Sequence, residues 1–354
     1  MASTRVIGLD IGTTAVRAAE LEFGGSGPSG RSAPTLLRYG QVGLPLGAVR
    51  DGEVVQPETV TSALRQLWLQ FKFSSREVVI GVGNQRVLVR ELDLPWMPPA
   101  QLRSSLPFQV QELLPMSVDE ALLDYFPTGE FAGPSGRTVQ GMLVAAQRDT
   151  VNANVLAVES AGLRPTMVDL NAFALMRAVA RGDLAERTVA IVDIGASVTN
   201  VVIASHGVPR LVRTLAIAGH SITNAVASSL GIAGAEAEVL KREIGVGYAV
   251  GPEQSAAAEA ISEVSRTLIE AVRNTFVYYS GNNPGAGIDV AIMTGGGSHL
   301  PGLGQYLSSA SRLPVILGDA LVGLKVAKSF DRGSLNGFES LVALPVGLAY
   351  GVAA

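Results

Sequence analysis

Asp10 and Asp193 are the residues best placed for chemistry in this chain. Each closes an apolar run, Val6-Ile7-Gly8-Leu9 in one case and Val189-Ala190-Ile191-Val192 in the other, and each is followed by Ile-Gly. Two small residues come next, at least one of them a hydroxyl: Thr13 and Thr14 after Gly12, Ala196 and Ser197 after Gly195. A carboxylate at the end of a buried strand can hold a hydrated Mg²⁺, and the backbone N–H groups of a tight turn make an anion-binding concavity. A single Asp-x-Gly turn needs no ligand, because glycine and a side-chain cap serve the turn itself. The repeat changes that reading. Asp193 follows Asp10 by 183 residues, which predicts two related lobes whose turns would clamp a polyphosphate and its metal from opposite sides. Two unrelated turns of similar sequence are the alternative.

A third candidate is Gly295-Gly296-Gly297-Ser298, which follows the strand expected over Asp289 to Thr294. Successive glycines let a backbone approach a flat ligand closely. Beside two phosphate-facing hairpins they predict the floor of a purine or ribose site; alone they would be an ordinary loop.

These residues need strands and helices to hold them. The first hairpin runs to Phe23, Gly24 to Pro34 reads as a Gly/Ser/Pro linker, and Leu36 to Val42 as a third strand. Pro57 opens a helix with Val60, Leu64, Leu67 and Phe71 on one face. Strands are expected at Val78 to Val82 and Arg86 to Leu92. The texture changes at Leu94-Pro95-Trp96-Met97-Pro98-Pro99. A helix bearing Leu102, Leu106, Val110 and Leu113 follows, with Pro107 expected to kink or split it. Strands at Ala121 to Phe126 and Thr138 to Gln147 flank a loop at Gly129 to Gly136, and Asp149 to Ser160 is a helix stopped by Gly162 and Pro165.

Residues 84–165 therefore read as a small αβ insertion in a first lobe made of 1–83 and 166–186. A helix beginning at Val168, capped by Asp169 or Asn171, leads to a second lobe over 187–340. That lobe holds the repeat hairpin, helices at Ser221 to Leu230, Ala235 to Ile244 and Gln254 to Ser280, with Gly281 after the end of the last, and a helix from Gly302 to Arg312 before an edge strand at Pro314 to Leu317. A closing helix in 341–354, with Gly347 and Gly351, packs back at the junction. The expected class is α/β.

Composition narrows the function. Of 354 residues 47% are apolar and 16% charged, which fits a globular chain with a large core. A net charge of −4 gives no electrostatic reason to expect nucleic acid. There is no cysteine, so disulfides and thiolate chemistry are excluded. His206, His220 and His299 lack ligand spacing. The N-terminus enters a strand at once, with no signal peptide expected. The apolar stretch from Leu341 to Ala354 is shorter than the ~20 residues a membrane span needs.

Five elements in order carry a resemblance: the Asp10 hairpin, the helix from Asn171, the Asp193 hairpin, the Gly295–Gly297 turn and the closing helix. Together they resemble the actin, heat-shock-chaperone and sugar-kinase superfamily. The resemblance implies a two-lobed actin-like fold of duplicated ribonuclease-H-like lobes. Within it the chain looks most like the PilM family, actin-like proteins of type IV pilus assembly related to the division protein FtsA. The stretches that carry this are Leu94-Pro95-Trp96-Met97-Pro98, Glu112-Leu113-Leu114-Pro115, Val118-Asp119-Glu120-Ala121-Leu122-Leu123-Asp124-Tyr125, Val144-Ala145-Ala146-Gln147-Arg148, Gly162-Leu163-Arg164-Pro165 and Thr294-Gly295-Gly296-Gly297-Ser298-His299-Leu300-Pro301-Gly302-Leu303.

The resemblance implies ATP and Mg²⁺ as cofactors. Asp10 and Asp193 would orient the metal through water. Gly12, Thr13 and Thr14 would contact phosphates, with Gly195, Ala196 and Ser197 facing them, and Arg17 would reach a terminal phosphate. Glu238 and Lys241 match the superfamily's ribose-binding pair, although two such residues three apart also read as a surface ion pair. Gly295, Gly296, Gly297 and Ser298 would support the adenosine. Asn171 stands where the family often has an acid, and it cannot take a proton from water, so any ATPase activity would be slow. By the same resemblance the protein is a cytoplasmic scaffold at the inner membrane. It would bind the N-terminal cytoplasmic segment of a PilN-like membrane protein through the inserted subdomain and meet other inner-membrane pilus components, and a homodimer is compatible with it. The alternatives are an FtsA-like division filament protein, which would carry a C-terminal amphipathic helix that this sequence lacks, and a small-molecule kinase using Asp93, Asp119 or Asp124 as base.

Overall fold

The computed structural model describes residues 3–24, 33–133, 136–248 and 251–351; most of the expected linker at Gly24 to Pro34 lies outside them. The chain opens with a three-stranded meander, β1 (Thr4–Ile11), β2 (Ala15–Phe23) and β3 (Thr35–Gly43), followed by a short hairpin of β4 (Val49–Arg50) and β5 (Glu53–Val54). Helix α1 (Pro57–Phe71) starts at the predicted proline and buries Val60, Leu64 and Leu67. Then come β6 (Glu77–Val82), β7 (Val87–Pro95), α2 (Pro99–Val110), β8 (Ala121–Gly133), β9 (Gly136–Gln147), α3 (Arg148–Ser160), β10 (Arg164–Leu170) and α4 (Asn171–Val179).

The second half repeats the plan with β11 (Thr188–Ile194), β12 (Thr199–Ser205) and β13 (Val208–Leu215), then α5 (Gly219–Leu230), α6 (Gly234–Ile244) and α7 (Ser255–Asn282). It ends with β14 (Val290–Thr294), α8 (Leu303–Ser311), β15 (Val315–Leu317), β16 (Lys325–Val326) and α9 (Ala343–Ala349).

The duplication is plain in the sheets. The first is ordered β10-β6-β1-β2-β3-β16 and the second β13-β12-β11-β14-β15. In each, an antiparallel meander is extended on its first strand by two parallel strands. Asp10 pairs with Arg17 and Asp193 with Asn200, so the two carboxylates occupy the same position in each copy.

Helices α4 and α9 lie between the sheets. The predicted close approach is real at Gly347, where a Cβ would overlap the Ala174 carbonyl oxygen, and at Gly8, where it would overlap that of Pro345. One continuous apolar core runs through Ala174, Ala178, Val346 and Leu348 into both sheets.

Several expectations are corrected. Val168 to Leu170 continues β10 instead of starting a helix; α4 begins at Asn171, and Asp169 pairs with Arg177. Pro107 does not break α2, which runs on to Val110 and tightens into a 3₁₀ turn over Gln111–Leu113. The carbonyl that Pro107 cannot bond, that of Arg103, belongs to an exposed residue. Gly129 to Gly133 extends β8, Gly281 lies inside α7, and α9 ends at Ala349 after a 3₁₀ turn at Glu339–Val342.

The stretch 84–165 also divides differently from expectation. Strands β7, β9 and β8 form a sheet of their own, covered by α2 around Leu106, Val110, Tyr125 and Leu143. Helix α3, by contrast, belongs to the first lobe, because Ala157, Val158 and Leu163 complete the core under α1; β10, most of it in the expected 166–186, joins the first sheet. Strand β16, from the stretch assigned to the second lobe, pairs with β3 of the first sheet.

Candidate functional site: a cleft between two matching turns

The two Asp-Ile-Gly turns close identically. Gly12 N–H donates to Ala15 O and Gly195 N–H to Val198 O, both at 3.0 Å. They also meet, since Thr13 Oγ1 donates to Ser197 Oγ at 3.2 Å. Under them lies a cleft of about 420 Å³ whose walls include Asp10, Gly12, Thr13, Thr14 and Arg17 from one copy and Asp193, Gly195, Ala196 and Ser197 from the other. That volume lies in the range of cofactor sites.

The electrostatics of the cleft are unbalanced. Burial pushes the Asp10 carboxyl above its ordinary range, and Arg17, with Nη1 3.3 Å from Asp10 Oδ2, offsets part of the effect. Asp193 is pushed up to about 6, chiefly by burial. Thr294 Oγ1 donates to Asp193 Oδ1 at 2.9 Å and opposes the shift, whereas the Asp10 charge adds to it. Arg17 pairs with Asp10, and its Nε is buried and without a partner. Burial likewise raises the Tyr39 hydroxyl, which faces Arg17, to about 12.

Glu238 and Lys241 are not a surface pair. Lys241 is 6% exposed, and its ammonium donates to Glu238 Oε2 at 2.6 Å, Thr223 Oγ1 at 3.0 Å and Gly219 O at 3.3 Å. Thr223 Oγ1 reaches the same carboxylate oxygen at 2.5 Å and Arg242 Nε the other at 2.8 Å. Burial pulls the Glu238 carboxyl up, but the donors from Lys241 and Thr223 leave it below its usual range; burial also lowers Lys241. Glu238, Lys241 and Arg242 all line the cleft.

Gly295, Gly296 and Gly297 line it too. Packing accounts for two of them: a Cβ on Gly295 would press on Ile194 O and Asp193 Oδ1, and one on Gly297 would overlap the Ile194 side chain. Gly296 alone has open space before it, with Leu341 4.0 Å away. Ser298 is absent from the lining; it is buried, with Oγ donating to Gly295 O at 2.6 Å, so it braces the turn from behind.

Other residues line the cleft as well, of which the sequence singles out Asn171 and passes over Gly219, Thr223, Leu341 and Leu344. Asn171 enters the cleft from the first turn of α4, and its Oδ1 is buried without a partner. Gly219, His220 and Thr223 come from the start of α5, and Leu341 and Leu344 from the C-terminal segment. Asn171 has a detectable signal, an amide where a strand meets a helix; Thr223 has none before α5 and α6 are paired.

The cleft fits a hard cation. Two carboxylates whose charges cost free energy where they stand are a suitable donor set for Mg²⁺, which keeps several waters and takes one or two carboxylates with substrate phosphates. Among the described residues no group of three or more His, Asp or Glu could hold a metal unaided. Nor, among them, is any helix long and apolar enough to cross a membrane.

Known proteins share this architecture. A chain of the solved PilM–PilN type IV pilus biogenesis complex is 26% identical and superposes with a TM-score of 0.83, covering 97% of each chain. Two more distant structures share the fold: the ethanolamine utilization protein EutJ from Carboxydothermus hydrogenoformans (16% identity, 99% of this chain and 90% of that one, TM-score 0.56) and MreB5 of Spiroplasma citri bound to AMPPNP (14%, 97% and 94%, TM-score 0.54). The family model described as type IV pilus assembly protein PilM matches residues 8–351, and the chain belongs to that family of actin-like pilus-assembly proteins.

Proposed function

We propose that the cleft binds ATP with Mg²⁺ and that the protein is a nucleotide-dependent scaffold of type IV pilus assembly. The observation that carries this reading is the pair of buried carboxylates, Asp10 and Asp193, at equivalent positions of two facing turns and raised chiefly by burial, with the Asp10 charge adding to the rise at Asp193. A cation between them relieves both costs. The turn amides and the hydroxyls of Thr13, Thr14 and Ser197 suit phosphates, and the Glu238–Lys241–Thr223 cluster offers a fixed carboxylate for ribose hydroxyls.

Turnover is slow or absent in this proposal. Asn171 supplies an amide but no base. The carboxylates that a kinase of this fold would need, Asp93, Asp119 and Asp124, are on the β7–β9 sheet and its approaches, outside the cleft lining.

The partner surface proposed is a groove of about 810 Å³ between α2 and β8, floored by Leu102, Leu106, Leu122 and Tyr125 and edged by Trp96 and Arg148. Its apolar floor and charged rim suit a short segment with alternating anchors. The occupant in this proposal is the N-terminal cytoplasmic segment of a PilN-like protein; a PilN is the partner in the solved complex that contains the 26%-identical relative. The protein is then cytoplasmic and held at the inner membrane through its partner.

Titration with ATP, with and without Mg²⁺, followed by a labelled peptide of the PilN-like N-terminus, tests both halves. Binding of nucleotide that needs Mg²⁺, Asp10 and Asp193 supports the cleft assignment, and metal-independent affinity in Asp10→Ala counts against it. Peptide binding that survives Leu106→Asp would remove the groove.

A further inference from the structure

A second charged surface lies away from both cleft and groove. The outward face of α1 carries Arg65 and Leu69 one turn apart, Lys72 caps its C-terminus in the left-handed conformation (φ 54°), and Arg76 follows the Ser74–Ser75 turn. With Trp68 they line a depression of about 630 Å³ that no carboxylate borders. Among the described residues, none of the three cations has a carboxylate partner within 4 Å. Of the acids around it, Glu20 pairs with Arg38 and Glu77 with Arg164, while the exposed Glu159 of α3 lies outside the lining of the depression.

The patch is held in shape. Arg65 Nη2 donates to Ser160 O at 2.6 Å and Arg76 Nη1 to Gly162 O at 3.1 Å, so both guanidinium groups are fixed at the end of α3 with donors to spare. Trp68 Nε1 donates to Ser75 O at 2.8 Å and pins the turn between Lys72 and Arg76. One helical turn after Arg65 and three residues before the capping Lys72, Leu69 is 69% exposed. An exposed leucine among three cations, two of them held in place, suits a surface that is anionic outside and apolar within.

We infer that this face of α1 rests on an anionic phospholipid surface, with Arg65, Lys72 and Arg76 on headgroup phosphates and Leu69 entering the acyl boundary. Each cation near such a surface contributes roughly fivefold in partition, so three give about a hundredfold, falling with salt. That is a weak, reversible contact which would orient a protein tethered by a partner without anchoring it alone. The inference needs neither nucleotide nor peptide, and it can fail or hold independently of the cleft and groove.

The experiment is sedimentation of the full chain with vesicles of phosphatidylglycerol and phosphatidylcholine against phosphatidylcholine alone, at about 50 and about 300 mM salt, a range over which screening strengthens. The expected result is pelleting with the anionic vesicles only, reduced at high salt and lowered about a hundredfold in Arg65→Gln/Lys72→Gln/Arg76→Gln. Because Arg65 and Arg76 also brace α3, Lys72→Glu serves as the second variant: among the described residues the Lys72 side chain makes no hydrogen bond, and the change should lower pelleting at least about fivefold with an unchanged melting temperature. No pelleting with anionic vesicles, or pelleting indifferent to both variants, overturns the inference. Millimolar inorganic phosphate at constant ionic strength is the last arm; saturable phosphate binding that these variants abolish, with no affinity for vesicles, would make the patch a free-phosphate site and overturn the lipid reading.

Discussion

Replacing Asp193 by asparagine removes a charge and keeps the shape, and the structure fixes what should follow. With its carboxyl pushed up to about 6 from an ordinary 3.8, the folded chain holds the Asp193 proton more tightly than the unfolded chain. The associated stability is fully present below pH 3.8 and is lost as pH rises through about 6. A rise from 3.8 to about 6 corresponds to roughly 3 kcal/mol, at about 1.4 kcal/mol for each tenfold change in proton affinity, and water in an open cleft reduces this to about 2 kcal/mol. The amide oxygen of the new side chain can still accept from Thr294 Oγ1, so little else changes. Ligand-free Asp193→Asn should therefore melt several degrees higher than the parent at about pH 8, with the difference vanishing near pH 4. The same variant should lose the Mg²⁺-dependent part of ATP affinity, while in the parent that part grows between about pH 5 and 7 as Asp193 ionises. Calorimetry across pH, with and without Mg²⁺-ATP, reads both effects. Equal melting of variant and parent at about pH 8, together with undiminished Mg²⁺-ATP affinity, would refute the argument that the two carboxylates are a strained pair awaiting a cation.

Other substitutions probe separate parts of the site. Lys241→Met strands the Glu238 carboxylate with Arg242 and Thr223 and should cost roughly 3 kcal/mol in stability and at least about tenfold in nucleotide affinity; Arg242→Gln, at the exposed edge, should cost under about 1 kcal/mol, and similar melting curves for the two would contradict the buried network. Asn171→Asp places a base where the amide now sits and should raise ATP hydrolysis by about a hundredfold, read by phosphate release; an unchanged rate would show that Asn171 does not face the attacking water. Gly347→Ala drives a methyl into the Ala174 carbonyl and should abolish soluble expression or cost more than about 3 kcal/mol; a normal melting temperature would mean that α4 and α9 can separate freely.

The duplicated hairpins are legible in the sequence because a strand ending in Asp-x-Gly and hydroxyls is a local pattern, and the pattern recurs. Helix α1 is legible for a similar reason, with Pro57 and an apolar step of three to four residues. What escapes depends on distant pairing. Nothing in Val168-Asp169-Leu170 distinguishes a strand end from a helix start, and β6 settles the matter by pairing with it. Strand β16 is two residues long and exists only because β3 offers an edge. Within the site, the glycines at 295 and 297 read as room for a ligand, yet Ile194 accounts for both, and periodicity along one chain cannot reveal a neighbour so far away in sequence. The Glu238–Lys241 spacing is visible, but its burial is not. That burial comes from α5, which brings Gly219 O and Thr223 Oγ1 onto the ammonium.

The two proposed binding regions are joined by one helix. Asn171 begins α4 inside the cleft, and two residues on, Phe173 packs against Phe126 of β8 with ring centroids 5.1 Å apart. The neighbour of Phe126, Tyr125, lines the groove and ties its sheet together, its hydroxyl lying 2.7 Å from Leu92 O on β7 and 3.0 Å from Val139 O on β9. Val87, Met142 and Ala146 of that sheet share a core with α4 and α9. A close-packed interior does not deform continuously. A shift of α4 that accompanies closure of the turns on a ligand must therefore be taken up at Phe126, where it bears on the wall of the groove. Nucleotide could then alter peptide affinity only to the extent that its own affinity differs between the two positions of α4, and that requirement gives the interlobe glycines at 8 and 347 a second role. Gly347 keeps α9 close enough to α4 for the pair to move as one, and Gly8 lets β1 follow α9.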